Sequence, residues 1–325
     1  LNPQQSKRSK PLLIVGGLVV LALGANVGSQ LIQKRKLALC EGAESKLTGI
    51  WTPERKETIK TALLSTGKAF APDVWQRVEQ LLDNYTRDWV TMRTESCIAT
   101  LRGNQNQYVL GLRTQCLDRR LEELSALTGI ISKPDATVVE QAVAASSDLP
   151  DISACANIEA LQAPTPLPEN PAARARVEKL NHQLAEIRAG QRFGKYSEVR
   201  IQAEAAVRTA TELKYQPAEA EALYLLGDIQ ERSGVAEQAE PTLLKAAVAA
   251  MESRQQTLLA QTWILLTQVT GFRLSRYDKA QGWAQLAEAA LEHISQPDAL
   301  RGQLLLARCM TESQAKNTAA AVDFC

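Results

Sequence analysis

Histidine is almost absent. The 325 residues hold only His182 and His293, far apart and with no cysteine or carboxylate in ligand spacing beside either. The usual histidine-based metal and acid–base centres are thereby excluded. The cysteines form no C-x-x-C pair, which argues against zinc. Phenylalanine occurs four times and tyrosine six, and β-branched runs of period two are scarce, so sheets are disfavoured. Neither charge sign is in excess, with 37 basic and 36 acidic residues. No basic stripe exists, and nucleic acid is excluded as a partner. Asp323-Phe324-Cys325 resembles a D-F-G start, but no H-R-D loop precedes it. Gly190-Gln191-Arg192-Phe193-Gly194-Lys195 mimics a phosphate loop, yet it is one residue short and joins two helices instead of a strand to a helix. Glu122-Glu123 and Glu219-Glu221 read as ordinary solvated helix charges. No nucleophile, base and orienter form a set. The expectation is a chain with no catalytic, cofactor-binding or metal-binding residue, and no enzyme by itself.

What is present favours helices. Alanine, leucine and glutamine are frequent, and the expected fold class is all-α. Leu1 in place of Met, and Cys325 inside a helical pattern, lead us to expect a piece of a longer protein.

The run from Leu12 to Ala25 is apolar throughout, and no charge falls between Lys10 and Lys34. Extended to Ile32, it spans roughly 30 Å at about 1.5 Å per residue, the thickness of the hydrocarbon layer. Ala25-Asn26-Val27 is a poor signal-peptide cleavage site. A transmembrane helix is therefore expected over 11–33, after a juxtamembrane linker at 1–10. Lys7, Arg8 and Lys10 on one side and Lys34, Arg35 and Lys36 on the other leave the positive-inside count tied.

A cysteine-bearing helical domain is expected over 37–160. Thr52-Pro53-Glu54 starts a helix and Gly67 stops it, while Pro72 opens the next. Val74, Val78, Leu81, Leu82, Tyr85, Trp89 and Met92 then follow at helical steps. Arg102 to Asn106 breaks the pattern, and Val109, Leu112, Cys116, Leu117, Leu121 and Leu124 carry a third helix. Trp51, Trp75 and Trp89 read as core residues, not as a ligand cage. Cys40, Cys97, Cys116 and Cys155 read either as two disulfides on the non-cytoplasmic side or as four buried thiols. Four cysteines allow three pairings. Cys97 and Cys116 sit 7 and 12 residues from a turn near residue 104. That offset, roughly 7 Å along a hairpin, disfavours joining them. Cys40 with Cys97 and Cys116 with Cys155 is the preferred arrangement of those left open.

Pro164, Pro166, Pro168 and Pro171 mark a semi-rigid linker at 161–171. Over 172–325 the sequence repeats. Tyr196, Val199, Ala203 and Ala206 correspond to Ala236, Ala239, Leu243 and Ala246, then to Tyr277, Ala280, Ala284 and Ala287, at steps of 40 and 41 residues. Leu223, Leu226 and Gly227 correspond to Trp263, Leu266 and Thr267, and to Gln303, Leu306 and Ala307. Gly194, Gly234 and Ser275 fall in matching turns. This period reads as an α-solenoid of stacked helix pairs with its last pair cut short. The pattern resembles tetratricopeptide repeats, which bind proteins or peptides on a concave face. The first repeat departs from it, with Glu186-Ile187 where Leu-Gly is expected. Late in the first helices of the pairs, Gln230, Glu231, Gln268, Thr270 and Arg308 are the candidate protein-binding positions.

Cys40-Glu41-Gly42-Ala43-Glu44, Trp51, the stretch Trp89 to Cys97, Cys116-Leu117-Asp118-Arg119-Arg120-Leu121, and Leu149-Pro150 before Cys155 come after the membrane run in order. This order resembles the C-terminal part of bacterial receptor-like serine/threonine protein kinases of the myxobacterial type. The resemblance implies a cytoplasmic kinase domain upstream, where ATP and Mg would act, with the residues after 33 in the periplasm of a single-pass inner-membrane protein. This chain is then the sensor or protein-interaction portion. Its expected partners are a protein or peptide ligand, the membrane through 11–33, and a second copy in a homodimer. The alternative is a membrane-tethered repeat scaffold or assembly protein with no kinase.

Overall fold

The computed structural model describes residues 40–162, 165–294 and 297–325. The membrane run at 11–33 and its linker at 1–10 lie outside the described residues. Among those residues, no helix is long and apolar enough to cross a membrane. They are all-helical, with thirteen α-helices, short 3-10 turns and no strand.

The first block holds α1 (Pro53–Ser65), α2 (Ala71–Leu101), α3 (Gln107–Ile131) and α4 (Ala136–Ser147). Three of these four starts carry a side-chain cap, and α2 instead has Pro72 in its first turn. Thr52 accepts from the Arg55 amide and Pro53 pre-sets the first turn, while Asn106 and Asp135 cap α3 and α4 in the same way. Trp51, Ile59, Leu63, Trp75, Leu82, Leu127 and Val138 close one core. Trp89 is 1% exposed and donates its ring N–H to the Leu117 carbonyl at 2.7 Å. All three tryptophans are therefore packing residues. Disulfides join Cys40 to Cys97 and Cys116 to Cys155. The second ties α3 to a 3-10 turn at Ile152–Ala156.

After the short α5 (Ile158–Gln162), four helix pairs are laid down in order. They are α6 (Pro171–Arg192) with α7 (Tyr196–Leu213), α8 (Gln216–Arg232) with α9 (Ala236–Glu252), α10 (Gln256–Gln268) with α11 (Tyr277–Leu291), and α12 (Asp298–Gln314) with α13 (Thr318–Phe324). Gly194, Gly234, Ser275 and Lys316 have φ of 71°, 80°, 54° and 60°, so all four turns between the helices of a pair use the left-handed region. α7, α9 and α11 begin at Tyr196, Ala236 and Tyr277, in register with one another.

The departure in the first repeat resolves as an exchange of volume. A Cβ on Gly227 would stand 2.5 Å from Leu243 Cδ2, so glycine admits the leucine of the facing helix. Forty residues earlier, Ile187 replaces the glycine and Ala203 replaces the leucine, both within one buried cluster. The large and small residues have exchanged positions between the two helices, and the close approach in this pair is made by Gly190, where a Cβ would overlap Val199 Cγ1.

The proline-marked linker does not separate two bodies. α3 packs along α6, and Phe193, at the end of α6, lies in the core of the first block. The helix pairs also do not stack uniformly. Beyond their own pairs, α8 and α10 each pack mainly on the second helix of the preceding pair, α7 and α9. α12 instead packs mainly on α10 and on a π-helical turn, Val269–Arg273, that continues it. Gly271 of that turn lies directly against Thr311 of α12. A π-turn widens the helix locally and re-aims the chain beyond it.

Candidate functional site

The residues expected to bind protein divide sharply. Gln230 is 7% exposed, Glu231 2% and Thr270 0%. Glu231 accepts from Arg273 Nε at 2.6 Å and from Gln268 Nε2 at 3.3 Å. Thr270 donates to the Leu266 carbonyl at 2.7 Å. Gln230, Glu231 and Thr270 are therefore buried, Glu231 on side chains of the next pair and Thr270 on its own helix, so the surface exposure that the sequence reading assumed for them is not found. Gln268 is half-buried and belongs to the same cluster. Only Arg308 lies on an open groove.

That groove, of about 510 Å³, runs between α11 and α12. Its position results from the change in stacking. Leu225 and Leu265 are 1% and 7% exposed, while Leu305, the next in register, is 45% exposed. Leu265 is covered by α9, the second helix of the preceding pair. The corresponding cover for Leu305 is α11, from which α12 has turned toward α10. Two ion pairs cross the gap. Arg308 Nη1 lies 2.6 Å from Glu288 Oε1, and Arg301 Nη2 lies 3.2 Å from Glu292 Oε1. Arg308 is held from behind, its guanidinium carbon 5.2 Å from the centre of the Phe324 ring. A third disulfide, Cys309–Cys325, closes the short α13 onto α12 beside that contact. The sequence reading pairs only the four earlier cysteines. It also misses Arg301, Glu288 and Glu292. The register does carry a signal, since Arg188, Asp228, Gln268 and Arg308 form one column at 40-residue steps.

A second polar centre joins the two blocks. Glu123, expected as a solvated helix charge, is 5% exposed. Its carboxylate lies 2.9 Å from Arg188, 3.3 Å from Arg192 and 3.6 Å from Arg120. Arg188 also pairs with Glu221, and Arg192 with Asp148 at 3.4 Å. Burial pushes the Glu123 carboxyl up, but the guanidinium groups of Arg188, Arg192 and Arg120 outweigh it and hold it below the usual carboxylate range. One turn beyond Tyr224 on α8, burial pushes Asp228 up to about 6 although Arg232 chelates it, with both distances 3.1 Å. This cluster can lock α3, α6 and α8 together.

Among the described residues, no group of three or more His, Cys, Asp or Glu is placed to hold a metal ion. No protein-family model, curated protein or solved structure matches the chain.

Proposed function

We propose that this chain is the sensor and protein-interaction portion of a membrane-anchored serine/threonine protein kinase whose catalytic domain lies upstream. In this reading the span at 11–33 crosses the inner membrane once. The residues after it face the periplasm, and the helix pairs bind a protein or peptide. The observation that carries the interaction half is the array of helix pairs at 40- and 41-residue steps, because such arrays present extended surfaces built from successive helices. The kinase half rests on the resemblance of the cysteine and tryptophan motifs. The periplasmic placement is supported by three disulfides, a form that persists in oxidising compartments.

Signalling then requires a ligand that favours one arrangement of the receptor over another. The Glu123 cluster supplies a physical connection. It fastens the helix pairs to the block nearest the membrane run, so a load on the repeats reaches that block through packed side chains. With one membrane helix, a change in association is the simplest difference such a ligand can make.

The test pairs capture from envelope extract with titration of Mg-ATP. The reading expects a retained envelope protein and no nucleotide binding. Micromolar ATP binding without a protein partner overturns it. The gene upstream of Leu1 separates the kinase reading from the tethered scaffold. A Gly-rich loop, an H-R-D loop and a D-F-G there support the first, and a start codon just upstream supports the second.

A further inference from the structure

We infer that the groove between α11 and α12 is a binding site for a short peptide with both ends free and an apolar side chain between them. The inference rests on the reading of the repeats as a peptide- or protein-binding array and narrows it to one groove and one ligand chemistry.

The two walls carry opposite charge. α12 supplies Arg301 and Arg308, and α11 supplies Glu288 and Glu292. The helices run antiparallel here, so Glu288 meets Arg308 at one end and Glu292 meets Arg301 at the other. Seven residues on α12 separate the ends by about 10 Å, and four on α11 by about 6 Å. Leu304 and Leu305 lie between the two arginines in sequence and line the groove. An apolar stretch bounded at each end by an acid and a base matches a zwitterion whose charges are about 6 to 10 Å apart. An extended peptide advances about 3.4 Å per residue, so about three residues fit.

The existing ion pairs do not block entry. Arg301 and Glu292 have side chains 52% and 72% exposed, and Glu288 is 54% exposed. Pairs that accessible contribute little, so a ligand carboxylate or ammonium can replace one partner at small cost. Arg308 differs, being 19% exposed and backed by Phe324. Its guanidinium is thus already positioned, which favours it as the carboxylate receptor. Glu292, the most exposed acid, receives the ammonium at the other end. The Cys309–Cys325 bond holds α13, and with it Phe324, beside Arg308.

The experiment is calorimetric titration of the full chain in detergent micelles with alanyl-leucyl-alanine, its N-acetyl form and its C-terminal amide. Saturable binding of the free tripeptide is expected, with each capped form weaker by at least about tenfold. In Arg308→Gln the penalty for the amide should vanish while that for acetylation remains. In Glu292→Gln the reverse should hold. Equal binding of all three peptides, penalties unchanged in the variants, or no saturable binding each overturns the inference. In that event, an envelope protein captured equally by the parent chain and both variants leaves the wider interaction reading standing. With no captured protein either, both fall.

Discussion

Gly271 and Thr311 touch so closely that the glycine has no room for a side chain. A Cβ there would overlap the threonine hydroxyl and methyl and stand 2.9 Å from Thr311 Cβ. This contact lets α12 lie on the π-turn of α10 and leaves the groove open on its other side. Gly271→Ala should therefore push α12 away and cost roughly 1–3 kcal/mol. Gly282→Ala is the control. It meets nothing within 4 Å, lies inside α11, and should be neutral or stabilise by up to about 1 kcal/mol. Urea unfolding of the two variants checks the contrast. Equal stability would remove the close-approach argument.

The volume exchange between the first two pairs makes a sharper claim. Leu243→Ala alone should cost about 2–5 kcal/mol by opening a cavity. Gly227→Ile alone should overpack the same crossing. Together they recreate the arrangement of Ile187 with Ala203, and the double variant should be more stable than the sum of the single losses implies. A double-mutant cycle measures the coupling, expected at about 1 kcal/mol or more. Additive losses would mean that these positions do not face each other as described.

Glu123 is the anion around which Arg120, Arg188 and Arg192 converge. Glu123→Ala leaves Arg120 without its carboxylate and leaves Arg188 and Arg192 with only Glu221 and Asp148, and should cost about 3 kcal/mol, the lower end of the usual penalty for breaking a buried ion pair. Glu123→Gln keeps an acceptor and should lose less. Urea unfolding of both tests the order. A loss under about 1 kcal/mol for the alanine variant would show the cluster to be solvated.

Asp228 gives a pH signature of definite sign. Its folded carboxyl is raised from 3.8 to about 6, chiefly by burial, so the folded state holds that proton more tightly than the unfolded one. The contribution is fully present below the unfolded value and is lost as pH rises through about 6. The difference corresponds to about 3 kcal/mol at about 1.36 kcal/mol per unit. Asp228→Asn removes the titration. Between about pH 4 and 7, the parent should lose stability relative to the variant by roughly that amount. A difference between the two that stays constant with pH contradicts the assignment.

Much of this architecture is legible in the sequence, because local chemistry sets it. Thr52-Pro53 announces a helix start and Gly194, Gly234 and Ser275 mark the left-handed turns, whereas the sequence reading does not pick out the caps at Asn106 and Asp135. The small residues at Ala239, Ala246, Ala280 and Ala287 are all buried. The binding positions are less legible, since a polar residue late in a helix carries no mark of what will cover it. Glu231 is buried by Arg273, 42 residues away, and Glu123 by Arg188, 65 residues away. The prolines near 164–171 signal a break in helix, and residues 165–170 are non-helical, with Pro171 opening α6. They say nothing about Phe193 folding back into the first core. The turn of α12 away from α11 depends on a π-turn for which periodicity gives no sign.

The most direct test of the interaction reading is hydrogen–deuterium exchange of the full chain with and without the protein it retains from envelope extract. The account predicts that protection on binding concentrates in 256–314, the segment spanning α10, α11 and α12, with little change in 53–147. Protection confined to 53–147, or the same pattern produced by Mg-ATP without a protein partner, would contradict it.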